Sequence, residues 1–148
     1  MTNNIRLINF TELNDDEKSM ILQWRNHDDV RKWMYTSDEI SQAEHLNFIN
    51  SLADKNDKLY FVVKRENDYL GVIDFVDIKE YDSCEMGVYI NPEMRGLGRH
   101  FMEIIISYAF DELKLSKLIS EAFIDNEKAI MLYQTFGFKE MDTKIVNK

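Results

Sequence analysis

The spacing of apolar residues changes abruptly at Leu59, and that change limits the fold more than any other feature of the chain. Upstream, the pattern is helical. In NDDEKSMILQWR, Asn14 is a predicted N-cap, with Glu17 three residues on as in a capping box. Ser41 and Glu44 repeat the device ahead of Leu46, Ile49, Leu52 and Ala53. Downstream, KLYFVVKR and YLGVIDFVDI are rich in β-branched and aromatic residues. END separates them, which predicts a hairpin over residues 59–65 and 69–78. KEYDS makes a second turn, and CEMGVYI predicts a third strand over 84–90. A helix is expected over about 98–113, a strand over 117–124, and a helix capped by Asp125 and closed by Gly137. IRLINF alternates like an opening strand, and FKEMD begins one more. The order is β-α-α-β-β-β-α-β-α-β. A meander that feeds a βαβ crossover demands a mixed, mostly antiparallel sheet flanked by helices, an α/β chain of the α+β kind.

Residues 1–148 read as one domain, with no repeat and no Pro-rich linker. Hydrophobic residues make up 45%, enough for one core. No segment approaches the roughly 20 apolar residues of a membrane span, and the start of the chain lacks the pattern of a signal peptide. A lone Cys84 gives no disulfide framework, so the expected compartment is the reducing cytoplasm. A net charge of −9 argues against general nucleic-acid binding, so any anion must be held by a local cluster. His27, His45 and His100 show no metal-ligand spacing, and no metal is expected. The oligomeric state cannot be read.

NPEMRGLGRH joins a strand to a helix. Pro92 ends the strand because it cannot donate to a ladder. Gly96 and Gly98 let backbone approach a ligand, and the helix after them offers unpaired N–H groups and a positive dipole end. Arg95 and Arg99 add charge. Together these suit a pyrophosphate; the alternative is a glycine turn with no ligand. A dinucleotide fingerprint is excluded because Phe101 stands where its third glycine belongs, and the lysine of a P-loop is absent.

Downstream, DNEKAIMLYQTFGF places Asn126 and Tyr133 two helical turns apart on one face. Tyr133 alone would read as a core aromatic. The two motifs together, in this order and spacing, resemble the GNAT superfamily of acetyl-CoA-dependent N-acetyltransferases, over about residues 59–138. The resemblance implies a sheet splayed at its fourth strand, here CEMGVYI, with the pantetheine arm of acetyl-CoA in the splay. Backbone groups of Val88, Tyr89 and Ile90 would then align the arm and meet the oxyanion. Arg95, Gly96, Leu97, Gly98, Arg99 and His100 would hold the pyrophosphate, with Asn126 also at the cofactor. The family loop is Q/R-x-x-G-x-G/A, and its last position is His100. That ring either touches a phosphate or faces solvent. The family normally ends with two more strands after G-F. Here MDTKIVNK follows Glu140, so the last strand is expected to be very short, supplied by a partner or missing.

The resemblance also implies roles. Tyr133 would protonate the CoA thiolate as it leaves; a phenol near 10 and a thiol near 8.5 make this uphill by roughly 2 kcal/mol. Glu85 is the candidate base, and Ser83 and Asp74 could instead order a water chain to the amine. An acetylated Cys84 is disfavoured, since no histidine adjoins it in sequence.

For the acceptor, QWRNHDDVRKWMYTSDEIS gathers Trp24, Arg25, His27, Arg31 and Tyr35 in a short span. Packing accounts for Trp24. Arginine forks suit phosphate and flat rings suit a base, so a nucleotide-linked amino sugar fits the rest. WRN, VRKWMY and GVIDF beside the GNAT motifs resemble the bacterial enzymes that N-acetylate UDP-4-amino-4,6-dideoxy-N-acetyl-altrosamine, a step of pseudaminic acid biosynthesis that serves flagellin glycosylation. Ribosomal-type protein N-terminal acetyltransferases share the N-terminal pattern loosely, and a non-catalytic CoA-binding module is the alternative outside enzymes.

Overall fold

The computed structural model describes residues 4–34, 38–123 and 125–139. Five strands form one sheet in sequence order: β1 (Ile5–Asn9), β2 (Leu59–Arg65), β3 (Asp68–Lys79), β4 (Ser83–Ile90) and β5 (Lys117–Ser120). The first three pairings are antiparallel and the last is parallel, as the meander and crossover require. Helices α1 (Asp15–Asn26), α2 (Asp28–Arg31) and α3 (Gln42–Ser51) lie between β1 and β2. Helix α4 (Gly98–Ser107) makes the crossover, and α5 (Glu127–Thr135) follows β5.

Alternation along the strands separates two cores. Phe61, Val63, Ile73, Phe75, Cys84 and Met86 point to one face, where Phe101, Met102, Ile104 and Ile105 of α4 cover them. Val62 and Val72 point to the other, packed with Ile21 and Trp24 of α1 and Ile49 of α3. Both predicted capping boxes are formed, Asn14 with Glu17 and Ser41 with Glu44. Glu17 does double duty. Its Oε1 accepts from the Asn14 N–H, and its Oε2 accepts from the Tyr69 hydroxyl at 2.7 Å, tying α1 to β3. Burial pushes this carboxyl up, but Asn14, Tyr69, Lys64 and Arg6 together hold it below its usual range. Tyr69→Phe is expected to cost about 1–2 kcal/mol, a fall in Tm of a few degrees by circular dichroism. An unchanged Tm would mean the bond contributes nothing net.

Three boundaries differ from the sequence reading. The strand expected over 117–124 stops at Ser120, because β4 and β5 separate there. The helix expected to reach Leu113 is α-helical only to Ser107, then widens into a π-turn over Tyr108–Glu112. It does so where Tyr108 stacks on Phe75 and meets Phe61 edge-on. The cap of α5 is Asn126, not Asp125: the Asn126 Oδ1 accepts from Ala129 N–H at 3.3 Å. The strand expected from Phe138 does not begin there. Phe138 and Lys139 are in no strand, and the rest of that stretch lies outside the described residues, as does Tyr35.

Candidate active site

Strand β4 pairs with β5 only from Ser83 to Met86, whereas with β3 it pairs on to Ile90. From Gly87 onward no described strand lies on the β5 side. This is the splay expected at CEMGVYI, and among the described residues it leaves Val88, Tyr89 and Ile90 without a strand partner on that side, along the cleft of the splay. A peptide edge in that state offers donors and acceptors to an extended ligand.

The strand-to-helix joint closes one end. Asn91 anchors it, with its N–H donating to Leu70 O and its side chain donating to Tyr69 O. Gly96 has φ +74°, a left-handed backbone that favours glycine. Gly98 is glycine for another reason: a Cβ there would stand 3.1 Å from Leu132 of α5, so α5 rests against the start of α4. No described acceptor takes the N–H groups of Gly98, Arg99 and His100, so they and the helix dipole are available to an anion. Arg95 donates to the carbonyls of Pro92 and Met94, and Arg99 lies over the Phe136 ring. The Nε2 of His100 is buried with no hydrogen-bond partner among the described residues, so this atom does not face solvent.

Helix α5 ends in a Schellman turn. Gly137 takes φ +90°, its N–H donates to Gln134 O, and the Phe138 N–H donates to Tyr133 O. That turn brings Phe138 back onto the Tyr133 ring, with centroids 5.7 Å apart. The G-F pair is thus a device that fixes the tyrosine. Burial raises the Tyr133 pKa, Ser120 lowers it, and the charge of Asp74 raises it further. The phenol is held protonated, as a proton donor must be, although release costs more than the unperturbed values suggest. The Ser120 hydroxyl that lowers this pKa is itself buried.

On the opposite face of the sheet, Asp74 of β3 lies across from Tyr60 of β2 and Gly87 of β4. Burial, then Glu85, push its carboxyl up to about 7 against the pull of Lys58. Asp74 also bears on Tyr60, Tyr89 and Tyr133, whose hydroxyls are all held above their ordinary range, in each case first by burial. Cys84 faces the α4 core, where burial and the two carboxylates push its thiol up to about 11, which leaves almost no thiolate to be acylated.

The N-terminal cluster is divided. Trp24 is core. His27 caps α2 by accepting from the Asp29 N–H. Arg31 pairs with Asp28 and Glu39 and pins its own loop. Asn26 clasps the far end of that loop, exchanging two 2.8 Å bonds with the backbone of Ile40. Arg25 is the residue that reaches toward the cleft, close enough to Tyr89 to interact with it electrostatically. Burial lowers its pKa, and its Nη1 is buried with no hydrogen-bond partner among the described residues. Among the described residues no group of three or more His, Cys, Asp or Glu could hold a metal, and no helix is long and apolar enough to cross a membrane.

Comparison with known proteins gives the family. A family model described as an acetyltransferase (GNAT) domain matches residues 5–139. The chain belongs to the GNAT acetyltransferase family. It is an N-acetyltransferase that takes its acetyl group from acetyl-CoA. Acetyltransferase PseH of Campylobacter jejuni is 44% identical over 138 residues, covering 93% of this chain and 87% of that protein. The crystal structure of Campylobacter jejuni N-acetyltransferase PseH in complex with acetyl coenzyme A superposes with a TM-score of 0.80 at 38% identity, over 95% of this chain and 92% of that one. Spermidine N-acetyltransferase from Vibrio cholerae, solved with CoA and spermine, shares the fold alone, with a TM-score of 0.85 at 21% identity over 99% of this chain and 89% of that one.

Proposed function

We propose that this chain acetylates the 4-amino group of a UDP-linked amino-deoxy sugar, the N-acetylation step of pseudaminic acid biosynthesis, in the cytoplasm and in the service of flagellin glycosylation. One observation carries the choice of acceptor. In a chain of net charge −9, Arg25 keeps a buried guanidinium nitrogen without a hydrogen-bond partner among the described residues, near Tyr89. A buried cation in that state is satisfied by an anion, which a nucleoside diphosphate supplies and a polyamine would repel. The likeness to the Campylobacter acetyltransferase over 93% of the chain supports the same reading.

The reaction is direct. The thioester lies in the splay, its carbonyl toward the free backbone of β4, and the pyrophosphate lies against Arg95 to His100, with Asn126 near the cofactor at the cap of α5. The amine arrives from the face that carries Arg25 and Tyr89. A carboxylate at the mouth of the splay takes its proton, the N–C bond forms, the C–S bond breaks, and Tyr133 gives the thiolate its proton. We also assign His27, Arg31 and Tyr35 to binding the acceptor.

The test is release of CoA thiol from acetyl-CoA with the UDP-4-amino sugar, a peptide with a free N-terminus, and spermidine as parallel acceptors. Turnover on the sugar, with a KM raised at least tenfold by Arg25→Met, is the expected result. Turnover on the peptide or polyamine alone would replace this acceptor.

A further inference from the structure

Among the described residues only the charge of Lys58 favours the Asp74 carboxylate. Asp74 sits in the middle of β3 with a carboxylate that makes no hydrogen bond or ion pair among the described residues. A half-buried charge without such partners is costly. Yet neither oxygen is wholly cut off from solvent, so a ligand in the cleft can reach it.

The register shows what the position serves. Asp74 lies opposite Gly87, the first residue of β4 beyond its pairing with β5. A Cβ on Gly87 would stand 2.4 Å from Oδ2 and 2.7 Å from Oδ1. The missing side chain therefore lets the carboxylate lie flat over β4 at the point where the splay opens. Side chains alternate across a sheet, so Asp74, Glu85, Gly87 and Tyr89 share the face turned to α1, while Cys84, Met86 and Val88 face α4. The carboxylate thus stands on the side from which the acceptor comes.

We propose that Asp74 is the general base that takes the acceptor amine's proton during attack on the thioester, and that Glu85 is a positioning residue acting through it. The inference rests on the acceptor being an amine and does not depend on which amine. Every packed element contributes a group that bears on it: Lys58 and Tyr60 on the β2 side, Cys84, Glu85 and Tyr89 on β4, and Tyr133 on α5, with Arg25 of α1 beyond Tyr89. Burial and Glu85 place its titration at about 7, in the range where a base is half free and still strong enough to deprotonate an ammonium.

The arrangement also orders the two proton transfers. While Asp74 is charged it helps to hold the proton on Tyr133. When Asp74 takes the amine proton that charge disappears, and the phenol becomes the better acid as the C–S bond breaks. The phenol proton goes to sulfur. Asp74 then gives its proton to solvent and the Tyr133 phenolate takes one from solvent, and both groups are restored.

Three measurements test this. Asp74→Asn is expected to lower kcat about a hundredfold or more, to abolish the acidic limb of the pH–rate profile, and to leave the acetyl-CoA Kd within twofold. Glu85→Gln is expected to keep most of the rate at pH 8 and shift that limb to lower pH, because a neighbouring negative charge has been removed. In the wild-type chain, carbon-13 NMR should show the Asp74 carboxyl titrating near neutrality, with no acceptor needed. If Asp74→Asn keeps both rate and limb, or Glu85→Gln loses the limb, or the carboxyl titrates like an exposed aspartate, Asp74 is not the base. Failure of the sugar with success of another amine would overturn the acceptor and leave Asp74 to be judged on the amine that works.

Discussion

Tyr133→Phe is expected to lower kcat about a hundredfold, roughly 2.7 kcal/mol, with acetyl-CoA affinity within twofold of the wild type. The substitution removes one oxygen and little else. The ring keeps its place against Phe138, because the Schellman turn at Gly137 and the packing on the α4 core hold the ring itself. Tm should therefore stay close to that of the parent. What is lost is the proton for the departing thiolate, which water must then supply. The loss should be seen in kcat and kcat/KM alike, the mark of an interaction made in the transition state. It should shrink with an acyl donor whose thiol is a stronger acid. Unchanged turnover in steady-state assays would return Tyr133 to the role of a packed aromatic.

Asp74→Asn should stabilise the protein at pH 8 by roughly 2–4 kcal/mol and leave it nearly unchanged at pH 4. The sign follows from the direction of the shift. The folded carboxyl titrates at about 7, whereas in the unfolded chain it titrates near its ordinary value of 3.8. The folded state therefore holds this proton more tightly. Below about pH 4 both states are protonated and there is no penalty. Between about 4 and 7 the folded state loses ground as pH rises, and above about 7 the cost is complete. Asparagine never carries the charge and escapes it. Urea unfolding of both proteins at the two pH values measures the difference. An equal gain at both would assign the effect to packing, and no gain at pH 8 would mean that the carboxylate is well solvated in the native chain. A variant that is more stable and far less active would fit a site that sacrifices stability for chemistry.

The local devices were legible because each depends on few neighbours. Asn14 with Glu17 and Ser41 with Glu44 satisfy orphan N–H groups within one turn, so three residues of spacing suffice to predict them. The β2–β3 hairpin follows from period-two alternation around END. The family was legible from two motifs whose spacing encodes a cleft and a helix end. The cap of α5 was misplaced by one residue because Asp125 and Asn126 are both good caps, and only the backbone direction decides between them.

The limits lie where residues distant in sequence meet. Trp24, Arg25, His27 and Arg31 look alike as a cluster, yet folding sends one to the core, one toward the cleft and two into loop contacts. Gly98 reads as a ligand-approach glycine, and its near neighbour is Leu132, 34 positions away. Asp74 is one of 27 acidic residues; it lies within GVIDF, and the sequence offers it only as one of two groups that could order a water chain to the amine. By itself the sequence determined the order of elements as far as α5, because periodicity and caps act over a turn or a strand, while the place of the splay and the role of the α5 tyrosine came from the resemblance of its motifs to the GNAT family. Which carboxylate stands half-buried at the mouth of that splay was decided by tertiary structure alone. Burial, the nearness of Glu85 and the absent side chain of Gly87 exist only once β3 and β4 have paired.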